Sequence, residues 1–386
     1  MYIYNAVIDP VSSDIIGNGY IRIENSKIVS LGEGRPPAVS PDDINAYGNR
    51  IMPGLIDSHS HIGFIGDGMG REGDDVNEVT DPVTPHLRAV DGMNFADGYF
   101  ADAVRSGVTC AVTGVGSANP IGGDFIAVKT FGRCTDEMLV RRVGIKFALG
   151  ENPKTCYEDR DEMPMTRMAT AALIREALFT ARRYMDDKLR AEEDEDADLP
   201  EFDMKSEALI PLLEGKLRAH FHCHRADDIM TALRISEEFG LDAVLVHCTE
   251  GYAVADILGE KKVRANIGPV LCDRGKPELA GLTVRNAAEL FRHGVQISVC
   301  TDHPEVPVNY LALSAALCVK AGLPEREAVK ALTLNAADIS GISDRTGSLE
   351  PGKDADIIMP GGNIFDIMTE NLMTMINGRV VYKSCR

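Results

Sequence analysis

Strand-length and helix-length segments alternate through the middle of the chain, roughly residues 53–340, and this rhythm restricts the possible folds strongly. Apolar runs such as VTCAVTGVG, LDAVLVHC and VQISVCTD each follow a helix-length segment. Glycine closes several of the helical segments, as is typical of a helix C-terminus. The alternation predicts a parallel sheet covered by helices, and about eight strand candidates over this length favour a closed (β/α)8 barrel.

The two ends of the chain have a different texture from the middle. Short runs such as MYIYNAVIDP and GYIRIENSKIVSLGE alternate β-branched and polar residues between turn residues, and NGRVVYKS near the C-terminus resumes that style. We therefore predict one small β-domain built from both ends. The predicted division assigns residues 1–52 and 343–386 to this domain and residues 53–342 to the barrel.

Charge and cysteine content exclude several classes of function. The formal net charge of -19 argues against a nucleic-acid partner or an anionic membrane surface. The nine cysteines include no C-x-x-C pair, so neither a disulfide framework nor a zinc ribbon is indicated. The first residues lack a basic segment followed by an apolar one, and no apolar stretch reaches membrane-spanning length. A cytoplasmic location is the expectation.

Histidine and aspartate residues stand at the ends of four predicted barrel strands. His59 and His61 point to one strand face, because side-chain direction repeats every two residues. His222 and His247 are separated by one helix plus one strand, so they should lie at the mouths of adjacent strands. Asp302 follows the last strand. Barrel enzymes place their chemistry at this end, so the pattern predicts a metal site there.

The donor types suit a catalytic ion. Imidazole with carboxylate selects zinc or another borderline divalent ion, and the absence of thiolate pairs favours a site with open coordination positions. Asp302, beside a water molecule on the ion, would accept its proton and later donate it to the leaving group. The alternative is that Asp302 is a turn residue before Pro304.

These motifs resemble the amidohydrolase superfamily, on the strength of PGLIDSHSH, the two strand-end histidines, TDH, and the closing TGSLEPGKDADIIM with NGRVVY. Within it, the chain is most similar to the imidazolonepropionase-related amidohydrolases, which also include metal-dependent dipeptidases. The resemblance implies an α/β fold, a distorted (β/α)8 TIM barrel with a small β-sandwich formed by both termini. It implies hydrolysis of a C–N bond in an amide, cyclic amide or dipeptide-like substrate. The alternative activities are deamination of a heterocycle and a mononuclear, deacetylase-like reaction.

The resemblance also implies a set of metal ligands. The matching positions are His59, His61, His222, His247 and Asp302. His220, His222 and His224 share one strand face, so periodicity cannot choose among them. The family's pattern favours His222 as the ligand, which leaves His224 as a substrate or outer-sphere contact.

The fourth barrel strand leaves two alternatives open. Lys146 lies inside an apolar strand, where a lysine is costly unless it is paired or neutralised. In binuclear relatives a lysine in such a setting is carbamylated and bridges two ions, whereas in mononuclear ones a glutamate binds the ion. Glu151 would be that glutamate. One or two divalent ions per chain are therefore expected, with zinc as the leading choice.

The implied mechanism is attack by metal-activated hydroxide on a carbonyl or amidine carbon, with Asp302 and His247 as the catalytic residues. A small molecule is the expected partner, and assembly into a homo-oligomer is left open. Candidate substrate contacts are His86, His224, Lys129 and Arg225. Of these, Lys129 and Arg225 would bind the carboxylate of a peptide-like substrate.

Overall fold

The computed structural model describes residues 1–385 and contains sixteen strands within them. Half of the strands form a barrel-like sheet and the other half a separate sheet made by the two ends of the chain. From β1 to β16 the strands are Tyr2–Ile8, Ile16–Glu24, Lys27–Glu33, Ile44–Asn45, Arg50–Pro53, Leu55–Ser60, Val108–Gly114, Ile121–Lys129, Leu139–Ala148, Arg218–Cys223, Ala243–His247, Arg264–Ile267, Gln296–Val299, Ile357–Pro360, Asn371–Ile376 and Arg379–Lys383.

Most helices lie between the barrel strands. The helices α1 to α12 are Ala89–Gly92, Tyr99–Arg105, Thr135–Met138, Glu151–Glu158, Arg167–Glu193, Met204–Leu213, Ala226–Phe239, Ala255–Glu260, Asn286–Arg292, Leu311–Lys320, Glu325–Ala331 and Leu334–Ile339. Helix α7 shows the predicted glycine ending, because Gly240 at its C-terminus adopts the left-handed conformation with φ +68°. None of the helices in residues 1–385 combines the length and apolar character that a bilayer span requires.

The eight strands β6 to β13 neighbour one another in chain order and confirm the predicted α/β barrel. The barrel is distorted because β8 runs antiparallel to both β7 and β9, whereas the other neighbouring strands are parallel. The connections explain this reversal. Only residues 115–120 separate β7 from β8, and a parallel crossover needs about a dozen residues or more.

Side chains and loop backbone join β6 to the region around β13, where the sheet would close. The hydroxyl groups of Ser58 and Ser298 lie 2.8 Å apart, and the Asn266 amide donates to the carbonyl oxygen of Ser58 over 3.1 Å. Beyond β13, the carboxylate of Asp57 accepts hydrogen bonds from the backbone and hydroxyl of Thr301. These bonds fix the loop after β13 against β6, which is where the strand-end histidines and Asp302 meet.

The terminal sheet has the order β16-β15-β14-β5-β1-β2-β3, with β4 beside β1. Strand β5 pairs with β14, so the N-terminal and C-terminal parts of the chain share one sheet, as predicted. Residues such as Ile3, Ile21 and Met375 form its own buried core. Strand β5 ends at Pro53 and β6 begins at Leu55. The division at residues 52 and 342 stays a prediction.

A buried ionic cluster joins the barrel to the terminal sheet, and we call it the junction cluster: Lys27, Lys129, Arg345, Asp354 and Asp356. The ammonium of Lys129, at the end of β8, pairs with both aspartates, and its distance to Asp354 is 3.0 Å. Lys27 and Arg345 also contact Asp354, at 2.6 and 2.9 Å. Each buried carboxylate therefore has cationic or hydrogen-bonding partners.

Candidate active site

A cavity of about 450 Å³ opens where the parallel barrel strands end. His247 is the last residue of β11, His222 is the penultimate residue of β10, and Asp302 follows β13. All three line this cavity, together with His61 and His224. The predicted location of the chemistry, at the C-terminal mouth of the barrel, is therefore where these side chains meet.

The first group of potential metal donors is His59, His61 and Asp302, whose donor atoms lie within 4.8 Å of one another. The Asp302 Oδ1 atom is 3.6 Å from Nε2 of His59 and 3.5 Å from Nε2 of His61. The Nδ1 atom of His61 lies 2.8 Å from the carbonyl oxygen of Gly114. A carbonyl can only accept, so Nδ1 carries a proton, and Nε2 is the ring nitrogen that faces Asp302.

The second group of donors is His222, His224 and His247, again within 4.8 Å. The Nδ1 atom of His247 donates to the carbonyl oxygen of Gly268 over 2.7 Å. Hydroxyl oxygens hold the other two Nδ1 atoms: Ser117 lies 3.0 Å from His222, and Thr249 lies 2.7 Å from His224. Anchoring one ring nitrogen while the other faces an open centre is the usual arrangement of metal-binding histidines.

Glu278 lies behind the second group, and the sequence offered no sign of it. Its Oε1 atom is 3.7 Å from Nε2 of His222 and 3.7 Å from Nε2 of His224. The side chain is buried and Oε1 has no hydrogen-bond partner within residues 1–385. Glu278 sits in a one-turn 3-10 helix, Pro277–Leu279, far from any strand end, so no periodicity could have identified it.

Burial sets the protonation of these groups. It holds the pKa values of His59, His222 and His247 well below the ordinary range and lowers the pKa of His224 to about 4. Burial alone would raise the pKa of Asp302, but the neighbouring histidines and Lys146 lower it to about 2. Neutral imidazoles beside an ionised carboxylate fit a divalent cation such as zinc.

The backbone at the site is strained. His247 has φ +71° and Asp302 has φ +55°, both in the left-handed region that residues other than glycine rarely adopt. Two groups of hydrogen bonds hold the conformation of Asp302: Thr301 donates to the Asp57 carboxylate, and the Asp302 amide donates to the His59 carbonyl over 3.1 Å. Strain of this kind is concentrated at functional sites, where the surrounding structure maintains it.

Lys146 lies at the base of the site. Its side chain is fully buried, and Nζ is 3.0 Å from Nε2 of His59 and 5.2 Å from the ring centre of Phe125. Within residues 1–385 no carboxylate oxygen lies within 4.0 Å of Nζ, and burial lowers the pKa of Lys146 to about 8. The lysine predicted to bridge two ions is therefore buried beside the donor His59, and no carboxylate in the described chain pairs with its amine.

Two other predicted candidates lie outside both donor groups. Glu151 begins helix α4, and its carboxylate accepts from the backbone N–H of Glu278 over 3.3 Å. His220 is fully buried and stacks on Phe125, and neither of its ring nitrogens has a partner within the described chain. The alternation of side chains along the strand could not decide which of His220, His222 and His224 binds metal. In the structure, His222 and His224 belong to the second group of donors and His220 does not.

Three of the four predicted substrate contacts do not line the cavity. Lys129 lies away from the cavity, and its ammonium pairs with the two aspartates of the junction cluster. Arg225 is exposed and forms an ion pair with Asp227 at 2.9 Å. His86 is half-buried in the loop before α1. His224 does line the cavity, and so does Lys276, which the sequence did not suggest.

Comparisons with known proteins match the chain to amidohydrolases. A sequence model described as "Amidohydrolase family" matches residues 207–382. The crystal structure of an amidohydrolase from Thermotoga maritima MSB8 superposes with a TM-score of 0.94 and 39% identity, covering 99% of this chain and 100% of that one.

Two relatives by sequence are more distant. Amidohydrolase tasK of Hapsidospora irregularis is 29% identical over 88% of this chain, which spans only 37% of that protein's length. The imidazolonepropionase of Thermoplasma volcanium is 25% identical over 90% of this chain and 84% of its own length.

Proposed function

The chain belongs to the amidohydrolase family, and on that premise we propose that it hydrolyses an amide, cyclic amide or dipeptide-like bond in a small molecule with bound divalent metal. The enzyme is a hydrolase that acts on carbon–nitrogen bonds. The observation that carries the proposal is that two groups of potential metal donors lie together at the mouth of the barrel: His59, His61 and Asp302 in one, and His222, His224 and His247 in the other.

The proposed ligands divide between two positions. His59, His61 and Asp302 would hold the more deeply buried ion, and His222 and His247 would contribute to the second. Zinc is the proposed metal, since neutral imidazole and carboxylate are its usual ligands. A divalent ion bound there would lower the pKa of a water molecule and polarise the carbonyl group under attack.

Asp302 is proposed as the proton carrier. Its Oδ1 atom lies 3.5 Å from Nε2 of His61, and its Oδ2 atom lies 4.0 Å from Nδ1 of the His247 ring, so the carboxylate stands beside both donor groups. Because its pKa is held at about 2, it is ionised at neutral pH and can accept the proton of the attacking water. It would then give that proton to the departing nitrogen.

His247 is proposed to orient and polarise the substrate carbonyl. Its ring is fixed by the 2.7 Å bond to Gly268, and it stacks against His224 with a ring separation of 4.4 Å. Because Nδ1 donates to Gly268, Nε2 is the open ring nitrogen, and as a ligand of the second ion it would act on the carbonyl through that ion, without reorganisation during the reaction.

Lys146 is proposed to be carbamylated. Addition of carbon dioxide to the neutral amine forms an N–C bond and releases one proton, leaving a carboxylate in place of an ammonium. Its full burial and the absence of a carboxylate partner in residues 1–385 support this modification, because the unmodified ammonium would be uncompensated. The carbamate would bridge the two ion positions.

The substrate is proposed to carry a carboxylate or another anionic group. Lys276 is the one lysine or arginine side chain among the described residues that line the cavity, and its Nζ lies 3.4 Å from the Asn152 amide oxygen. We expect Lys276→Ala to raise KM for anionic amides about 10-fold with little change for neutral ones.

The decisive experiment combines metal analysis with intact mass of the native protein. Two ions per chain and a mass increase of one carbon dioxide, lost in Lys146→Ala, support the binuclear proposal. One ion that survives Lys146→Ala but is lost in Glu151→Ala would replace it with the mononuclear form. Release of ammonia from a heterocycle by the active protein would assign deamination instead.

A further inference from the structure

We propose that Glu278 and His224 are metal ligands, and that with His222 and His247 they hold the second ion even when the bridging carbamate on Lys146 is absent. This inference rests on the proposed metal-dependent function and specifies which side chains hold one of its ions. It adds a carboxylate from the loop after β12 to donors that come from β10 and β11.

The distances from the Glu278 carboxylate to two of the three histidines fit a common centre. Glu278 Oε1 is equidistant from His222 Nε2 and His224 Nε2, at 3.7 Å. Zinc binds imidazole nitrogen and carboxylate oxygen at about 2.0–2.2 Å, so neighbouring ligands of a tetrahedral ion lie roughly 3.4 Å apart. The observed separations are too long for hydrogen bonds and close to those that a shared ion requires.

The unsatisfied carboxylate oxygen is an independent indication. Glu278 is 1% exposed, and Oε1 has no hydrogen-bond partner among the described residues. Within residues 1–385 no lysine or arginine nitrogen lies within 4.0 Å of it, since its only close basic groups are the two histidines. A buried carboxylate without a compensating cation is costly, and a bound ion would supply that cation.

The surrounding chain holds this carboxylate in place from both ends. Glu278 Oε2 accepts from the backbone N–H of Glu151 over 3.1 Å, and the Glu151 carboxylate accepts from the backbone N–H of Glu278. Gly150 has φ +87°, and a Cβ there would lie 2.9 Å from Glu278 Oε2. The turn before α4 is therefore shaped around the carboxylate and aims Oε1 at the histidines.

The test measures ion binding rather than activity. The full-length chain is stripped with a chelator and titrated with Zn²⁺, and Co²⁺ is added separately because its visible absorption reports the number and type of ligands. Glu278→Gln, which keeps the side-chain volume, should weaken binding of one ion by about 10–100-fold or more and change the Co²⁺ spectrum. His224→Asn should weaken the same ion.

Two carboxylates serve as controls. Glu305 also lines the cavity but is exposed, so Glu305→Gln removes the same charge without removing a proposed ligand. Glu151→Gln tests the neighbouring carboxylate. Glu305→Gln should bind both ions with wild-type affinity, whereas Glu151→Gln should weaken only the ion that Glu278 holds, and by less than Glu278→Gln does. Far-ultraviolet circular dichroism of the metal-free variants checks that each is folded.

The outcomes separate this inference from the proposed function. If Glu278→Gln and His224→Asn bind Zn²⁺ as tightly as wild type, the inference is overturned. If Lys146→Met loses the ion that Glu278→Gln loses, the site requires the lysine and the inference is again overturned. A wild-type chain that binds no divalent ion overturns the proposed function itself.

Discussion

Two lysines on adjacent barrel strands, Lys129 and Lys146, are equally buried and have opposite surroundings. Lys129 ends β8 and pairs with Asp354 and Asp356 of the junction cluster. Lys146, on β9, has a histidine nitrogen at 3.0 Å and no carboxylate within 4.0 Å in the described chain. Burial lowers the pKa of both amines, but for Lys129 the two carboxylates reverse the shift and raise it, whereas Lys146 falls to about 8.

The same contrast holds for the clusters to which these lysines belong. The junction cluster pairs its charges internally, so it can stabilise the contact between barrel and terminal sheet without any ligand. At the mouth of the barrel, His59 Nδ1 and Glu278 Oε1 have no partner among the described residues. Buried polar atoms without a hydrogen-bond partner are uncommon, and a bound ligand or ion would satisfy them. Substitutions in the junction should therefore affect stability, and substitutions at the mouth should affect ion binding and turnover.

The largest effect is expected for Asp302→Asn. We expect turnover to fall by roughly 10²–10⁴-fold, the usual contribution of a general acid–base group, because the amide cannot accept and return the proton. Because Asp302 is also a proposed ligand, the more deeply buried ion should bind more weakly, so turnover is compared at saturating metal. Steady-state kinetics on an identified substrate, with parallel metal analysis, measure both. Unchanged turnover would remove Asp302 from the mechanism.

Replacing each lysine by methionine should separate stability from function. Lys129→Met should lower the free energy of unfolding by about 3 kcal/mol, because it leaves buried carboxylates without one of their cations. Lys146→Met should leave the stability of the metal-free protein unchanged or higher, since it removes an uncompensated buried amine. Urea unfolding of the chelator-treated variants compares the two. Equal destabilisation by both substitutions would contradict the contrast between the clusters.

The junction cluster should also confer a dependence on acidic pH. Burial would raise the pKa of Asp354, but Lys129, Lys27 and Arg345 lower it to about 2, below its value in the unfolded chain. The unfolded state therefore binds more protons in this window, and the stabilisation is present above about pH 4 and lost as the pH falls toward 2. We expect this carboxylate to account for roughly 1 kcal/mol of the loss between about pH 5 and pH 3.

The Asp354→Asn variant provides the control for that pH dependence. Its free energy of unfolding should fall less steeply than that of the wild type over the same acidic range, when both are measured by urea unfolding without metal. A variant that retains the full wild-type slope would assign the acid sensitivity to other carboxylates.

The smallest effect is expected for Arg225→Ala. Its ion pair with Asp227 is exposed, and exposed pairs contribute about 0–1 kcal/mol. Stability should change by no more than about 0.5 kcal/mol and turnover should be unchanged, because the side chain does not line the cavity. A large rise in KM for anionic substrates would indicate that Arg225 binds the substrate, and it would weaken the proposed role of Lys276.

The residues at strand ends were accessible to sequence reasoning because they follow a local rule. Parallel strands in a barrel end at one face, so His59, His61, His222, His247 and Asp302 converge whatever the details of packing. The same rule fails for Lys129, which ends a strand that runs antiparallel to its neighbours and therefore leads away from the mouth. Only the short β7–β8 connection reveals that reversal.

Glu278 marks the limit of that reasoning. It belongs to no strand and no periodic pattern, and it meets His222 and His224 because residues 150–151 and the loop after β12 hold each other through reciprocal hydrogen bonds. The sequence by itself determined the barrel, the domain made from both ends and the histidines at the mouth, since these depend on hydrophobic periodicity and strand direction. Only the tertiary structure decided that Lys129 is paired with carboxylates and that Glu278 has an oxygen without a hydrogen-bond partner in the described chain, because both facts depend on contacts between residues far apart in the chain.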